Sequence, residues 1–260
     1  MIRFRFNNFF SAIGYTLSMF GRAMLYTPRI PFRWGAIRRE MWIIGVESLP
    51  LACFFLFLIG MVFSLQTGVG LAPFGQEVLV GRLVSMGMVS ELGPWMTAFV
   101  LIARNGSSMA AEIGTMKISD EISALKIMSV NLEDYIVMPR IIAFVVMAPI
   151  LTVIATAVGV LGGMLVATLQ LAVPVYVYLD GAVEGLKPPL VLYWSVLKAV
   201  VFALTASIIA CSFGLRTKGG ALGVGKASRD TVVYSLFLVV LFNFMLTSLY
   251  QILIHIIEGE

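Results

Sequence analysis

Five blocks of apolar residues divide the chain, at about 46–65, 83–103, 139–174, 190–213 and 232–254. A helix needs roughly 20 such residues to cross the hydrocarbon core of a bilayer. The blocks meet that length, so they predict an all-α polytopic membrane protein with five transmembrane helices. The third block is the longest, about 35 residues, or roughly 50 Å as a helix. Pro149, Gly159, Gly162 and Gly163 permit bends or close helix contacts there. No polar residue marks a turn at Gly162 and Gly163, so one long, tilted span that projects past the membrane is expected rather than two. Composition agrees: 60% of the 260 residues are hydrophobic and 12% are charged, about half the charged share of soluble domains. The net charge of +4 does not point to a nucleic-acid partner, because the basic residues follow membrane topology.

The connections divide unevenly. Residues 1–40 carry Phe6, Phe9, Ile13, Leu17, Phe20 and Met24 at helical spacing. They predict an amphipathic helix lying on the membrane surface, ended by Pro28 and Pro31 and followed by a basic segment through Arg38 and Arg39. Arg22 interrupts the apolar run, so this is not read as a cleaved signal peptide. Residues 41–260 form the five-span domain. Gln66 to Gln76 reads as a turn at the far face, Val175 to Pro189 as a loop carrying Asp180, Glu184 and Lys187, and Leu215 to Asp230 as a basic, glycine-rich loop. Five spans put the termini on opposite sides. With the N-terminus cytoplasmic, Arg3, Arg5, Arg22, Arg29, Arg33, Arg38 and Arg39 lie inside. So do Arg104, Lys117, Lys126, Arg140, Arg216, Lys218, Lys226 and Arg229, leaving only Arg82, Lys187 and Lys198. That asymmetry predicts a cytoplasmic N-terminus and a periplasmic C-terminus.

Arg104 to Met128 is the longest polar interruption between spans. Ser119 is placed to cap a helix with Asp120 and Glu121 in its first turn and Lys126 near its end, an order that suits the helix dipole. Ile118, Ile122 and Leu125 give this helix an apolar face. Such a face either packs back on its own bundle or docks into a soluble partner. Asn131 is placed to cap a second short helix, Leu132 to Met138, leading to Pro139 and Arg140.

Signals for catalysis are weak. Gly220 to Ala227 reads GALGVGKA, close to a phosphate loop, but Ala227 stands where a magnesium-binding hydroxyl is needed and a membrane helix precedes it instead of a strand. Cys53 and Cys211 sit inside apolar runs without paired spacing, and His255 stands alone. No metal or nucleophile motif appears. What remains is Glu91 in the second block and Lys198 in the fourth, each about eight residues in from the same face, a shared depth of roughly 12 Å. A charge near the bilayer centre costs at least ~2.5–3.5 kcal/mol, so each needs a partner or a wet cavity. One reading is an ion pair that holds two helices. Another is a polar site lining a cavity. A proton-coupled secondary transporter using Glu91 and Lys198 is the alternative, but inverted repeats are its signature and five spans do not divide into them.

Several stretches, taken in order, resemble one family: Glu47-Ser-Leu-Pro-Leu51, Leu65-Gln-Thr-Gly68, Glu91-Leu-Gly-Pro94, Ala111-Glu-Ile-Gly-Thr-Met-Lys117, Val137-Met-Pro-Arg140 and Gly214-Leu-Arg-Thr-Lys-Gly-Gly220. They look like the MlaE-type permeases, the membrane subunits of phospholipid ABC transporters that work with MCE-domain proteins. The resemblance implies an N-terminal interfacial helix, five spans and a homodimer. That dimer would sit on a cytoplasmic ABC ATPase and beneath a periplasmic MCE-domain assembly in a bacterial inner membrane. It also implies a cytoplasmic coupling helix at about 117–130, with Glu112, Lys117, Asp120, Glu121, Ile122, Leu125 and Met128 at the ATPase contact. A lipid cavity would be lined by Glu91, Lys198 and Asn243. Asn243 stands where an aspartate is commoner, and Ser90 where many members carry arginine. No cofactor is expected in this chain; ATP and magnesium would belong to the ATPase.

Overall fold

The structure is a computed structural model that describes residues 14, 16, 18–24, 31–187 and 189–258. Among them there is no strand, and five helices are long and apolar enough to cross a membrane: Pro31–Phe74, Glu77–Ile118, Glu133–Gln170, Leu190–Leu215 and Gly220–Ile256. The protein is an all-α polytopic membrane protein. Residues 14, 16 and 18–24 are helical; Phe6, Phe9, Ile13, Leu17 and Pro28 lie outside the described residues.

The helices outrun the apolar blocks. The first span continues through Gln66 and Thr67 to Leu71, so the expected eleven-residue turn shrinks to Ala72–Phe74 and Gly75. Gly75 takes a φ of 65°, the left-handed region that glycine enters without steric cost. The second span runs unbroken through Arg104 to Ile118, so half of the polar stretch is helix rather than connection. Glu133 to Gln170 is one continuous helix, with Pro149 inside it, and no separate short helix precedes Pro139. The glycine-rich segment is helical as well. Gly220–Glu258 forms a single helix, and the connection before it is only residues 216–219. Val175 to Pro189 was expected as a loop but contains the helix Val175–Gly185. Period-3.6 order there is masked by glycine and by apolar residues on two faces.

The chain divides into two compact units. The first comprises residues 1–44, 102–146 and 203–239. Ion pairs tie it together. Arg140 reaches Glu40 at 3.5 Å and Glu112 at 3.3 Å. Arg33 pairs with Asp134 at 3.1 Å while its guanidinium lies 4.9 Å from the centre of the Tyr135 ring, a cation–π distance. Arg22 meets Glu133 at 3.3 Å.

The second unit comprises residues 45–101, 147–202 and 240–260. Ala52, Leu56, Val84, Met88, Ala155 and Tyr178 belong to its core. Here the first and third spans approach backbone to backbone: a Cβ on Gly60 would overlap the Gly159 carbonyl. Small residues permit this closeness, which supplies the van der Waals contact that drives helix association in lipid. The helix Val175–Gly185 lies along Val80–Gly87. Tyr178 is fully buried and donates from its hydroxyl to the Val160 carbonyl at 3.0 Å; burial pushes its phenol above the ordinary range.

Candidate functional site

The second unit contains one concentrated polar cluster, and local sequence explains how it forms. Glu91 lies in a widened, π-helical turn, Met88–Leu92, just before Gly93 and Pro94. Such turns arise where the regular hydrogen-bond ladder is interrupted. Pro94 has no N–H, so the Ser90 carbonyl four residues back loses its α-helical donor. Lys198, from the fourth span, supplies the replacement: its ammonium donates to Ser90 O at 2.9 Å, to Glu91 Oε1 at 2.7 Å and to Thr247 Oγ1 at 2.9 Å. All three donors of the ammonium are therefore used. Thr247, on the fifth span, donates from its hydroxyl to Glu91 Oε1 at 2.8 Å, and Asn243, one turn earlier, donates to Glu91 Oε2 at 3.0 Å. Gly93 has to be glycine because Thr156 and the Met88 carbonyl occupy the space a Cβ would take.

Exposure separates the two charges. The side chain of Lys198 is 1% exposed, whereas that of Glu91 is 35% exposed. Lys198 is thus a buried brace whose charge is spent on protein acceptors. Glu91 presents the open edge of the cluster. Its Oε1 takes two hydrogen bonds and its Oε2 takes one, so the carboxylate has capacity to accept another. The Asn243 carbonyl oxygen is buried and has no hydrogen-bond partner. Glu91, Lys198 and Asn243 do meet, as the sequence reading expected. Thr247 and the Ser90 carbonyl were missed. Both were signalled, Thr247 by its i+4 spacing from Asn243 and the carbonyl by Pro94 at i+4.

The second expected site lies in the other unit. The helix Glu121–Ile127 follows Ser107–Ile118 after a sharp corner at Asp120, whose φ is 60°. The cap differs from expectation. Ser119 ends the preceding helix, with its hydroxyl 3.0 Å from the Thr115 carbonyl, and Asp120 occupies the N-cap position. The apolar residues of this helix divide between burial and exposure. Ile122 is 1% exposed and packs into its own unit, Leu125 is half-buried, and Ile127 and Met128 stand out at 85% and 65% exposed. Glu112 is occupied by Arg140 at 3.3 Å and by Ser108 at 3.2 Å. Asp120 and Glu121 are exposed, and Lys117 is half-buried. At GALGVGKA the residues are helical, so no loop is there to wrap a phosphate.

Comparison with known proteins matches these features to a family. Residues 37–249 match the family described as permease MlaE. A probable ABC transporter permease of Synechocystis is 35% identical over 208 residues, which is 80% of this chain and 79% of that protein. The intermembrane phospholipid transport system permease protein MlaE of Haemophilus influenzae is 31% identical over 242 residues, 93% of each chain. The chloroplastic protein TRIGALACTOSYLDIACYLGLYCEROL 1 of Arabidopsis thaliana is 29% identical over 234 residues, 88% of this chain and 65% of that one. The chain therefore belongs to the MlaE permease family.

Proposed function

We propose that the protein is the permease subunit of an ABC transporter that moves phospholipid between a bacterial inner membrane and a periplasmic MCE-domain assembly. It acts as a homodimer, and ATP hydrolysis with magnesium takes place in a separate cytoplasmic ATPase chain. The observation that carries this reading is the 31% identity, over 93% of each chain, to the Haemophilus phospholipid transport permease. Two structural features support it. Ile127 and Met128 are exposed on a connection between spans, where an apolar pair suits the groove of a soluble partner. Glu91 offers a carboxylate edge within an apolar span, where a polar headgroup needs hydrogen-bonding company. The distribution of Arg and Lys supports a cytoplasmic N-terminus and a periplasmic C-terminus. Head-group recognition then falls to Glu91 and Asn243, with Lys198 and Thr247 holding Glu91 in place.

Isolation of the assembly from native membranes in mild detergent, followed by mass spectrometry of its proteins and lipids, tests the proposal. An ATPase subunit, an MCE-domain protein and stoichiometric phospholipid are expected. A chain that purifies alone and transports without an ATPase overturns it.

A further inference from the structure

The helix Val175–Gly185, which joins the third and fourth spans, carries three distinct stripes. Tyr178, Ala182 and Gly185 are buried on Val80–Gly87. Val175, Leu179 and Val183 recur every four residues and are exposed, and Tyr176, Asp180 and Glu184 form a second exposed row. At 100° per residue the two exposed rows are centred about 100° apart, with the polar row facing away from the buried one. A helix standing clear in water has no reason to keep an apolar row exposed, and one sunk in hydrocarbon would not carry Asp180 and Glu184 exposed. Glu184 is in fact 3.7 Å from Arg82, and both side chains are more than half exposed, a geometry suited to an aqueous boundary.

We infer that Val175–Gly185 lies in the interfacial layer of the membrane, with the Val175–Leu179–Val183 row in the acyl boundary and the Tyr176–Asp180–Glu184 row in the headgroups and water. The occupant of the apolar row is lipid, because the helix joins two membrane spans and packs on the start of a third. In the chain on either side of it, Leu165 and Leu169 at the end of the third span and Leu190 and Tyr193 at the start of the fourth are exposed. Val78, Leu79 and Leu83, on the segment the helix packs against, are exposed apolar residues as well. Tyr176 and Tyr193 are exposed aromatics with polar tips, the type that collects at headgroup depth. This arrangement anchors the helix parallel to the bilayer, as amphipathic surface helices are anchored. The inference rests on the membrane spans alone and stands whatever cargo the protein carries.

The test uses the full chain in vesicles of phosphatidylethanolamine and phosphatidylglycerol, with Cys53→Ala and Cys211→Ala as background. Single cysteines at Leu179, Asp180, Val183 and Glu184 receive a spin label, and collisions with oxygen and with a water-soluble nickel complex are compared. Oxygen should dominate at positions 179 and 183 and nickel at 180 and 184. A bimane label at the same sites gives a second reading, with brominated acyl chains expected to quench 179 and 183 more strongly. Nickel access at all four positions overturns the inference, since the helix would then stand in water. Shielding of 179 and 183 from both probes overturns it as well, because protein rather than lipid would cover the row.

Discussion

The ammonium of Lys198 lies 2.9 Å from the Ser90 carbonyl, the backbone oxygen that Pro94 deprives of its helical donor. The Glu91–Leu–Gly–Pro94 stretch thus acts as a unit: proline frees a carbonyl, glutamate adds a carboxylate beside it, and one lysine from another span satisfies both. Glycine lets the third span come close enough to enclose the result.

This geometry gives the Glu91–Lys198 pair a direction. Exchanging the charges with Glu91→Lys and Lys198→Glu would set a carboxylate against the Ser90 carbonyl, an acceptor facing an acceptor. Breaking a buried pair costs ~3–5 kcal/mol, with the low end appropriate here because Glu91 is 35% exposed. The double mutant is expected to melt as low as Lys198→Glu alone in a thermal unfolding series in detergent. Recovery of the wild-type midpoint would show that the Ser90 and Thr247 contacts carry little energy.

Pro94 and Lys198 should be coupled. Pro94→Ala restores an N–H to the ladder, so the Ser90 carbonyl no longer depends on Lys198. Lys198→Met should therefore destabilise the Pro94→Ala protein less than the wild type. A double-mutant cycle should return a coupling of about 0.5–3 kcal/mol, the range for residues sharing a network. Additive losses would mean that the carbonyl finds its donor elsewhere.

Much of this fold was legible. Apolar runs of bilayer length located all five helices, because in lipid the backbone must satisfy itself and helix is the local way to do so. The helix ends were less legible, since helices continue past the hydrocarbon into polar sequence, as at Arg104 to Ile118 and Gly220 to Asp230. Glycine there reads as loop by propensity, yet Gly220 to Asp230 continue into the fifth helix. Glu91, Lys198 and Asn243 stood out as polar residues in apolar surroundings. Which of the two charges is buried depended on Thr247 and a freed carbonyl, and a backbone acceptor has no letter in the sequence. Along the Glu121–Ile127 helix the sequence left packing and docking open, and the structure buries Ile122 while leaving Ile127 and Met128 exposed. Periodicity names a face, but not which of two neighbouring faces the bundle covers.

Gly60→Ala should be costly. The added methyl would run into the Gly159 carbonyl, which is backbone and cannot rotate aside, so the two spans must separate. Overpacking of this kind costs about 1–3 kcal/mol. Gly70→Ala, where a Cβ meets nothing within 4 Å, is the matched control and should leave the unfolding midpoint unchanged or slightly raised. Equal midpoints for the two variants would contradict the close first-to-third-span contact.

Topology follows from the same spans. Single cysteines at Gln76 and Asp180 should react with an impermeant thiol reagent in intact spheroplasts, whereas cysteines at Glu121 and Leu222 should react only after lysis. The reason is the inward bias of Arg and Lys. Reaction at Glu121 in intact cells would reverse the orientation.

The last prediction separates docking from packing within one short helix. Ile122 is buried, and Ile127 and Met128 are exposed. A carboxylate at Ile122 would be buried without a partner, at a cost of several kcal/mol, so Ile122→Asp should lower the thermal midpoint of the isolated permease. Ile127→Asp and Met128→Asp place the charge in water when the chain is alone, where surface changes usually stay within about 0.5 kcal/mol, and should leave that midpoint in place. If this helix seats in an ATPase groove, the same two variants should lose the co-purifying ATPase, because there the carboxylate is desolvated. Thermal unfolding of the permease and quantitation of bound ATPase on the same preparations check both halves. Retention of the ATPase by the Ile127→Asp, Met128→Asp double mutant, with lipid transport intact, would remove this helix from the interface.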